Sequence, residues 1–279
     1  MKTEVRAKRL IKKIDEVTVE VKGQKLSLNG DDVKVVSGTD YLVYERNGNY
    51  FLSIDANAAD AVMVGGFHYG LIPEDFAARN NIDAEHAEQI RAINAYSIWD
   101  DEHRPTCKPN GMAYIPKEDI WLDIYMCGSE HEKFGTSAPH QHFLAGGNNY
   151  GRVNPNGEED FLYKDFEAVA KLHGKRFITF DEFISAMKGV KEFASAGDED
   201  DGITKHHPDF VSKYGIEQAT GHNWIWSEKI DDEKAVRLGG YRTGGVYAGS
   251  RASHWDNYVW NSYWNIGSRF ACDSLHPVK

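Results

Sequence analysis

Two groups of residues carry side chains that could do chemistry if the fold brought them together. His140 and His142 form an HxH pair, which on a strand would point both rings to one face and invite a metal ion. Zinc sites use three or four protein ligands, and no acidic residue follows this pair at a short spacing. The flanking Pro and Gly residues favour a loop, so we predict no metal site here.

Cys272, Asp273 and His276 form the second group and have the residue types of a nucleophile with its base. They lie within an aromatic-rich stretch, where a cysteine most often packs as a small hydrophobic residue. The glycine pairs at 65–66 and 239–240 lack the spacing of dinucleotide or phosphate loops. We therefore predict neither catalytic residues nor a cofactor, and expect the protein not to be an enzyme.

Residues 239–279 interleave aromatic residues with Gly, Ser, Asn, Asp and His, and contain few charges. Tyr and Trp give large, rigid contact area, while Ser, Gly and Asn give adaptable hydrogen bonding, so this composition is typical of a recognition surface. Gly, Asn and Asp are also ordinary turn residues. A tightly turned, aromatic-rich edge of a β core is therefore an equally good interpretation of composition alone.

The chain has 279 residues, which suits one large or two smaller domains. Its formal net charge of −11 argues against nucleic acid as a partner, since nucleic-acid-binding proteins usually carry a basic face. No apolar stretch is long enough to cross a bilayer, and the N-terminus lacks the features of a secretory signal. The scattered Cys107, Cys127 and Cys272 argue against a disulfide framework and indicate a reducing compartment.

The first 63 residues have the pattern of short strands. Residues 17–21 and 33–36 alternate or run β-branched, and Asn47-Gly48 between the apolar runs 41–44 and 50–54 is a strong hairpin signal. This part predicts a small, sandwich-like β domain.

Beyond residue 63 the pattern mixes helices, strands and loops. Apolar spacing predicts helices at 73–95, 163–173 and 179–187, the last beginning with a Thr179–Glu182 capping box. Residues 120–125 indicate a buried strand. Weakly periodic segments predict a long loop at 128–159 and a solvated acidic loop at 195–201.

Over most of residues 33–279 the chain resembles the variable proteins of diversity-generating retroelements, of the major tropism determinant type. No single motif decides this; the order and spacing of several segments does. They include VGGFHY at 64–69, INAYSIWD at 93–100, WLDIY at 121–125, HGKR at 173–176, GSRA at 249–252, and Trp255, Gly267, Arg269 and Cys272.

The resemblance implies an α+β chain with a C-type lectin-like fold, of the formylglycine-generating-enzyme variant, over residues 64–279, with a variable region at about 239–275. Residues 1–63 would form the preceding β domain. In this family the fold displays a hypervariable ligand-binding face. The family's phage protein carries a further N-terminal β-prism, which a chain of this length is too short to hold. The scaffold also resembles formylglycine-generating oxidases through HGKR, but those enzymes need a nearby cysteine pair, and only Cys272 lies in that region.

In this family, adenine-specific mutagenesis lets Asn-type codons become many residues but never Trp, Met, Lys, Glu or Gln. Trp255, Trp260 and Trp264 would then be scaffold. The spacing at 241–247 and 261–265 has period two, which places those side chains on one side of an extended chain. The predicted ligand-binding residues are Tyr241, Thr243, Gly245, Tyr247, His254, Asp256, Asn257, Asn261, Tyr263 and Asn265.

The resemblance implies a non-enzymatic receptor-binding protein, a tropism determinant of a phage tail, with Tyr241, Tyr247 and Tyr263 as anchors. Its expected partners are a cell-surface protein or glycan receptor and phage tail components, with a homotrimer as the expected assembly. It would be made in the host cytoplasm and located in the virion, without binding nucleic acid or inserting into a membrane. An oxidase and a purely structural tail component are the alternatives.

Overall fold

The computed structural model describes residues 9–30, 34–70, 75–147 and 161–277. Near the N-terminus, β1 (Ile11–Lys13), β2 (Thr18–Val21) and β3 (Gln24–Ser27) form an antiparallel sheet in the order β1-β2-β3. Alternation along β2 buries Val19 and Val21, as expected for a strand with one wet face. The strand predicted at 17–21 is therefore present.

A second sheet has the order β5-β4-β6-β7, and β8 pairs with β6. Its strands are β4 (Thr39–Arg46), β5 (Asn49–Ser53), β6 (Val62–Gly70), β7 (Ala92–Ile93) and β8 (Trp99–Asp100). Asn47 and Gly48 both have positive φ, 53° and 81°, which is the conformation that a two-residue hairpin turn requires. The predicted hairpin is confirmed.

The expected domain boundary between residues 63 and 64 lies inside β6. Phe67 and Tyr69 on this strand pack in one core with Ile11, Val19 and Tyr41 from the N-terminal strands. The predicted strand at 33–36 is wrong where it is described, because residues 34–36 are irregular. Tyr41 Oη holds this segment by donating to the Lys34 carbonyl and accepting from the Val36 N–H, which takes the place of strand pairing.

The single helix predicted at 73–95 is two short helices, α1 (Phe76–Arg79) and α2 (Ala84–Ile90). Two polar side chains interrupt the predicted helix. Asn80 donates to the Phe76 and Pro208 carbonyls at the end of α1, and Asp83 caps the start of α2 by accepting from the His86 N–H. After α2 the chain enters β7 and a 3-10 helix at Ala95–Ser97.

A third sheet, in the order β11-β16-β10-β9, brings the chain's last strand into its centre. Its strands are β9 (Met112–Ile115), β10 (Ile120–Asp123), β11 (Arg176–Phe177) and β16 (Phe270–Asp273). Every residue of β10 is buried, as predicted for this apolar run.

Helices α3 (His131–Phe134), α4 (Tyr163–Leu172) and α5 (Phe180–Ala186) complete the described elements around this sheet. The predicted helices at 163–173 and 179–187 are confirmed, and Thr179 and Glu182 form the predicted capping box. The predicted loop at 128–159 contains α3, and its residues 148–159 lie outside the described part. No helix in the described ranges is long and apolar enough to span a bilayer.

The fourth sheet has the order β14-β13-β12-β15, with β12 and β15 parallel and the other pairs antiparallel. Its strands are β12 (Trp224–Lys229), β13 (Lys234–Leu238), β14 (Ser253–Tyr258) and β15 (Ile266–Gly267). Strand β14 of this sheet carries three of the ten residues predicted to bind a ligand, and the other seven lie in the segments that connect its strands.

Candidate functional site

Strand alternation gives the fourth sheet two different faces. Ile225, Val236 and Leu238 are buried in the largest core of the protein. Their neighbours Trp224 and Arg237 are on the opposite face and remain only half-buried. One face of the sheet is therefore anchored in this core. The opposite face is partly covered, because Trp226 and Ala235 pack in a second core, and it is displayed only near Trp224 and Arg237.

Four rings from four separate segments meet at this displayed end, and we call them the aromatic face: Trp224, Tyr241, His254 and Trp264. Trp224 is central. Its ring stacks on Tyr241 with centroids 6.2 Å apart and meets the His254 ring at 6.5 Å. Tyr241 in turn meets Trp264 edge-on at 6.4 Å. Two of these residues were predicted to contact a ligand, and the fold brings them together.

Tyr241 reaches this position because the chain before it turns sharply. Gly239 and Gly240 have φ of 90° and 81°, and a Cβ on Gly240 would lie 2.6 Å from that of Ala248. Tyr241 then forms a bridge with His222, and the Arg242 N–H donates to the His222 carbonyl at 2.8 Å. The glycine pair thus has a structural reason that is unrelated to phosphate binding.

Arg242 stabilises the turn that follows Gly239 and Gly240. Its buried guanidinium donates to the Asp200 carbonyl and lies over the Trp264 ring, 4.4 Å from the centroid. The acidic loop predicted at 195–201 is irregular, but the prediction that all of it is solvated is wrong. Asp200 is buried because it closes over this arginine.

Strand β14 carries three of the residues predicted to bind a ligand. Two of them are exposed and the third is buried. The register of β14 with β13 shifts between the pairs Arg237–His254 and Ala235–Asn257, so the local alternation changes there. His254 and Asp256 are exposed, and Asp256 forms an ion pair with Lys234 at 2.6 Å. Asn257 instead is 0% exposed, and its amide donates to the His254 carbonyl at 2.6 Å. In this conformation Asn257 supports the strand and does not present its side chain to a ligand.

The segment 259–265 returns to the sheet beside Trp224. The Trp224 N–H donates to the Asn265 carbonyl at 2.8 Å, and Asn223 donates to the Trp264 carbonyl at 3.2 Å. Tyr263 is exposed, whereas Asn261 and Asn265 are half-buried. These contacts place residues 263–265 along the edge of the aromatic face.

The period-two interpretation of 241–247 is wrong. The Gly244 N–H donates to the Tyr241 carbonyl in a turn, and Gly245–Tyr247 form a 3-10 helix, so the segment is not extended. Gly245 makes this possible with a φ of 53°. Residues 261–265 also lie outside any strand, apart from the approach to β15.

Thr243, Gly245 and Tyr247 are all exposed on this turn. Tyr247 is 82% exposed and lines an open pocket of about 480 Å³ together with Val246 and Phe193. This pocket is separate from the four rings of the aromatic face. The ten predicted residues thus comprise a group on or beside the aromatic face, a group on the 243–247 turn, and the buried Asn257.

The three tryptophans expected to be scaffold are all exposed. Trp255 packs edge-on against Phe180 at 5.1 Å, and Trp260 stacks on Tyr258 at 4.5 Å. Trp264 belongs to the aromatic face. These rings are held by neighbours and at the same time form part of the surface.

Sequence reasoning missed the contribution of Trp224 and Arg237 to this surface. Trp224 joins the rings, and Arg237 lies beside it, with its guanidinium carbon 5.7 Å from the Trp224 centroid. A sequence signal was available in the alternation of β12 and β13, which leaves both residues on the face opposite the core.

The other candidate chemistry is buried or dispersed. His140 is exposed in a loop with a φ of 62°, so the HxH pair is not on a strand. Within the described ranges, no three His, Cys, Asp or Glu side chains form a group that could hold a metal ion. Asp273 and His276 are exposed, whereas Cys272 is buried, and Asp273 accepts from Arg176 at 2.7 Å.

Cys272 does have a cysteine neighbour, which the sequence did not indicate. The Cys107 N–H donates to Cys272 Sγ at 3.2 Å, and the Thr106 hydroxyl lies 3.1 Å from the same sulfur. The contact with Cys107 lowers the pKa of Cys272, and the same contact raises the pKa of Cys107. Both thiols are buried, which limits access of a substrate.

His222, beneath the aromatic face, makes stability depend on pH. Burial lowers its folded-state pKa to about 3, whereas an unfolded His titrates near about 6.5. The neutral form therefore stabilises the fold fully above the unfolded pKa, and this contribution is lost as the pH falls from about 6.5 towards 3. At pH 5 the loss from His222 alone should be about 2 kcal/mol.

Urea unfolding of the wild type and of His222→Phe at pH 7.5 and pH 5 measures this contribution. The wild type should lose about 2 kcal/mol more than the variant over this interval. His131, whose pKa burial also lowers well below its usual value, is present in both proteins and cancels. Equal losses in the two proteins would contradict the assignment.

No family model matches the chain. It is 28% identical over 304 residues to the tail fiber receptor-binding protein of Bordetella phage BPP-1, covering 92% of this chain and 78% of that protein. Among solved structures it is similar to the Major Tropism Determinant U1 variant, with a TM-score of 0.78, 26% identity and coverage of 95% of this chain and 83% of that one. For the M1 variant the TM-score is 0.79, with 26% identity and 97% and 84% coverage.

These comparisons confirm the resemblance expected from the sequence. They also confirm the α+β class and the C-type lectin-like fold. The similarity spans almost all of this chain, so it includes both the N-terminal strands and the sheet that carries the aromatic face.

Proposed function

We propose that this protein is a receptor-binding tropism determinant of a phage tail and binds its receptor without catalysis. One observation carries the proposal: large aromatic side chains lie exposed along residues 255–264 and beside the aromatic face. Soluble proteins rarely expose contiguous apolar surface unless it binds a partner, and Tyr and Trp are enriched in such contacts. The similarity to a tail fiber receptor-binding protein supports the same function.

We further propose that the receptor contacts are hypervariable and diversified by a retroelement. The contact set comprises nine of the predicted residues, all at least partly exposed: Tyr241, Thr243, Gly245, Tyr247, His254, Asp256, Asn261, Tyr263 and Asn265. Asn257 is buried, so we expect a change there to act through the strand. Trp224, Trp255, Trp260 and Trp264 would supply a constant aromatic base against which the variable side chains lie.

The genetic prediction is that sibling genes differ mainly at these nine positions. A reverse transcriptase gene and a near-copy of residues 239–275 should lie just downstream. Sequencing the 3′ end of the gene across related genomes measures this. Substitutions spread evenly over β12 and β13, or concentrated at Trp255 and Trp264, would refute the variable-face proposal.

Removing the exposed Tyr263 ring and the half-buried Tyr241 ring tests binding itself. Tyr241→Ala combined with Tyr263→Ala should weaken binding to receptor-bearing cells about 1,000-fold, because aromatic anchors contribute about 2 kcal/mol each and the two together about 4 kcal/mol. Phe134→Ala combined with Leu172→Ala removes two exposed apolar side chains from helices α3 and α4 and is the matched control. Adsorption of a folded double variant at the wild-type level would favour a purely structural tail component.

An oxidase of the formylglycine-generating type is the second candidate, favoured by the contact between Cys107 and Cys272. If the protein were such an oxidase, it would turn over a thiol substrate measurably, and Cys272→Ser would abolish this turnover while the protein stays folded. We expect no such turnover, because Cys272 is buried and the neighbouring HGKR residues are engaged in structural contacts.

Assembly on the particle follows from the same proposal. A homotrimer in the virion would present several identical faces, and joined faces gain affinity through effective concentration. The receptor would be a protein or glycan on the target cell. Sedimentation of the purified chain tests the trimer.

A further inference from the structure

Arg237 has an unusual position beside the aromatic face. Its guanidinium carbon lies 5.7 Å from the ring centroid of Trp224 and 5.9 Å from that of Trp226. Its Nε is buried and has no hydrogen-bond partner. Among the described residues, no carboxylate or carbonyl accepts from any of its N–H groups. The side chain is half-buried, so part of the guanidinium reaches the surface.

Arg176 and Arg269 are also withdrawn from the surface and are matched with acceptors, whereas the half-buried Arg104, over the Trp99 ring, shares with Arg237 a buried Nε without a partner. Arg176 donates with both Nη atoms to the carboxylate of Glu182, and Arg269 donates to four carbonyls. A guanidinium presents five N–H donors in a planar fork, and leaving them unmatched in a partly desolvated place is unfavourable. Burial lowers the pKa of Arg237 to about 10, so the group is still charged at neutral pH.

Among the described residues, no carboxylate lies close enough to Arg237 to shift its pKa. His254 lies opposite Arg237 on the neighbouring strand β14. The phenol of Tyr263 is close enough to raise the pKa of Arg237, although burial lowers it more. The nearest acid on β14, Asp256, is already paired with Lys234. A protein with a net charge of −11 therefore presents an unmatched cation at the edge of an aromatic surface.

We propose that Arg237 is the subsite for a carboxylate, supplied by an acidic side chain of a protein receptor whose apolar neighbours lie on the rings of the aromatic face. This inference rests on the proposed receptor-binding function. A planar carboxylate matches the guanidinium fork with two parallel hydrogen bonds, and the aromatic walls strengthen them by excluding water. A protein source is favoured because Trp, Tyr and Arg are enriched together at the centres of protein–protein contacts.

The test follows the Arg side-chain Nε–H signals of the wild-type full chain, labelled with 15N-arginine, by NMR. The probes are the N-acetyl α-amides of glutamate and of glutamine, which differ in charge and hardly in shape. We expect the Arg237 signal to shift saturably with the glutamate probe, with a dissociation constant of about 1–10 mM, and at least about tenfold less with the glutamine probe. The Arg237→Lys variant identifies the signal by its loss.

Arg242 is the internal control, because its guanidinium is buried against the Asp200 carbonyl and its signal should not move. Equal shifts with both probes, or no shift with either, would overturn the carboxylate subsite. Glucuronate binding about tenfold tighter than the glutamate probe would overturn the protein source in favour of an acidic sugar. None of these outcomes affects the sequencing test of the variable face, so the two proposals can fail separately.

Discussion

Replacing Arg269 by Met is expected to lower the free energy of unfolding by about 3–5 kcal/mol. The guanidinium is fully buried and donates to the carbonyls of Asp123 and Ile124 on one side and of Glu217 and Gln218 on the other. Met fills a similar length but removes the guanidinium donor from each of these buried carbonyls, of which that of Ile124 still accepts from the Glu217 N–H, and each buried acceptor left unpaired costs about 1 kcal/mol or more. Urea unfolding at pH 7.5 measures the change.

Arg251→Met is the matched control, since Arg251 is exposed beside the same region of the chain. It should change stability by less than about 0.5 kcal/mol. Arg269→Lys keeps the charge but loses the planar fork, so it should fall between the two. A cost below about 1 kcal/mol for Arg269→Met would show that water or backbone movement replaces the lost donors.

The second large effect is expected at Lys175, whose ammonium is buried and lies 2.6 Å from the carboxylate of Asp123. Burial raises the pKa of Asp123, and the attraction to Lys175 opposes that rise. Lys175→Met leaves Asp123 either as an unpaired buried charge or protonated. We expect a loss of about 3–5 kcal/mol at neutral pH, because breaking one side of a buried pair leaves the other uncompensated.

A double-mutant cycle with Asp123→Asn provides the control. The double variant should lose less than the sum of the two single variants by about 1–3 kcal/mol, since neither then contains an unpaired charge. Guanidinium unfolding monitored by tryptophan fluorescence measures all four proteins. Additive losses would mean that the pair is not coupled and that Lys175 acts by packing alone.

These contacts give the HGKR segment a structural interpretation. His173 Nε2 lies 2.6 Å from the Glu132 carbonyl, Gly174 has a φ of 67°, and Arg176 binds Glu182 and Asp273. With Lys175 paired to Asp123, every residue of the motif joins neighbouring elements. The likeness to oxidases through this motif is therefore explained by the shared scaffold and needs no shared chemistry.

Local signals in the sequence were sufficient for several elements. The Asn47-Gly48 hairpin and helix α5 depend on a positive-φ turn and a capping box, which are contacts between residues at most four apart. Helix α4 follows from the spacing of its apolar residues. The helix predicted at 73–95 failed because Asn80 makes contacts with a segment more than a hundred residues away.

In the candidate site, too, local signals predicted some features and long-range contacts decided the others. Composition and the codon argument identified Tyr241, His254 and Tyr263 as surface residues. They did not indicate that 241–247 turns, because the turn is held by the burial of Arg242 against Asp200. They also did not indicate that Asn257 points inward, since this follows from a shift in register between β13 and β14.

The sequence by itself determined the family resemblance, the α+β class and the residue types of the candidate binding surface, because order, spacing and composition are properties of one chain. Tertiary structure alone decided which side chains meet. Trp224, Tyr241 and Trp264 form one surface, Cys107 contacts Cys272, and Arg237 has no acceptor among the described residues. All three arrangements depend on contacts between segments far apart in sequence. Sheet register decides which of these segments meet, and burial decides which of their polar groups are left without a partner.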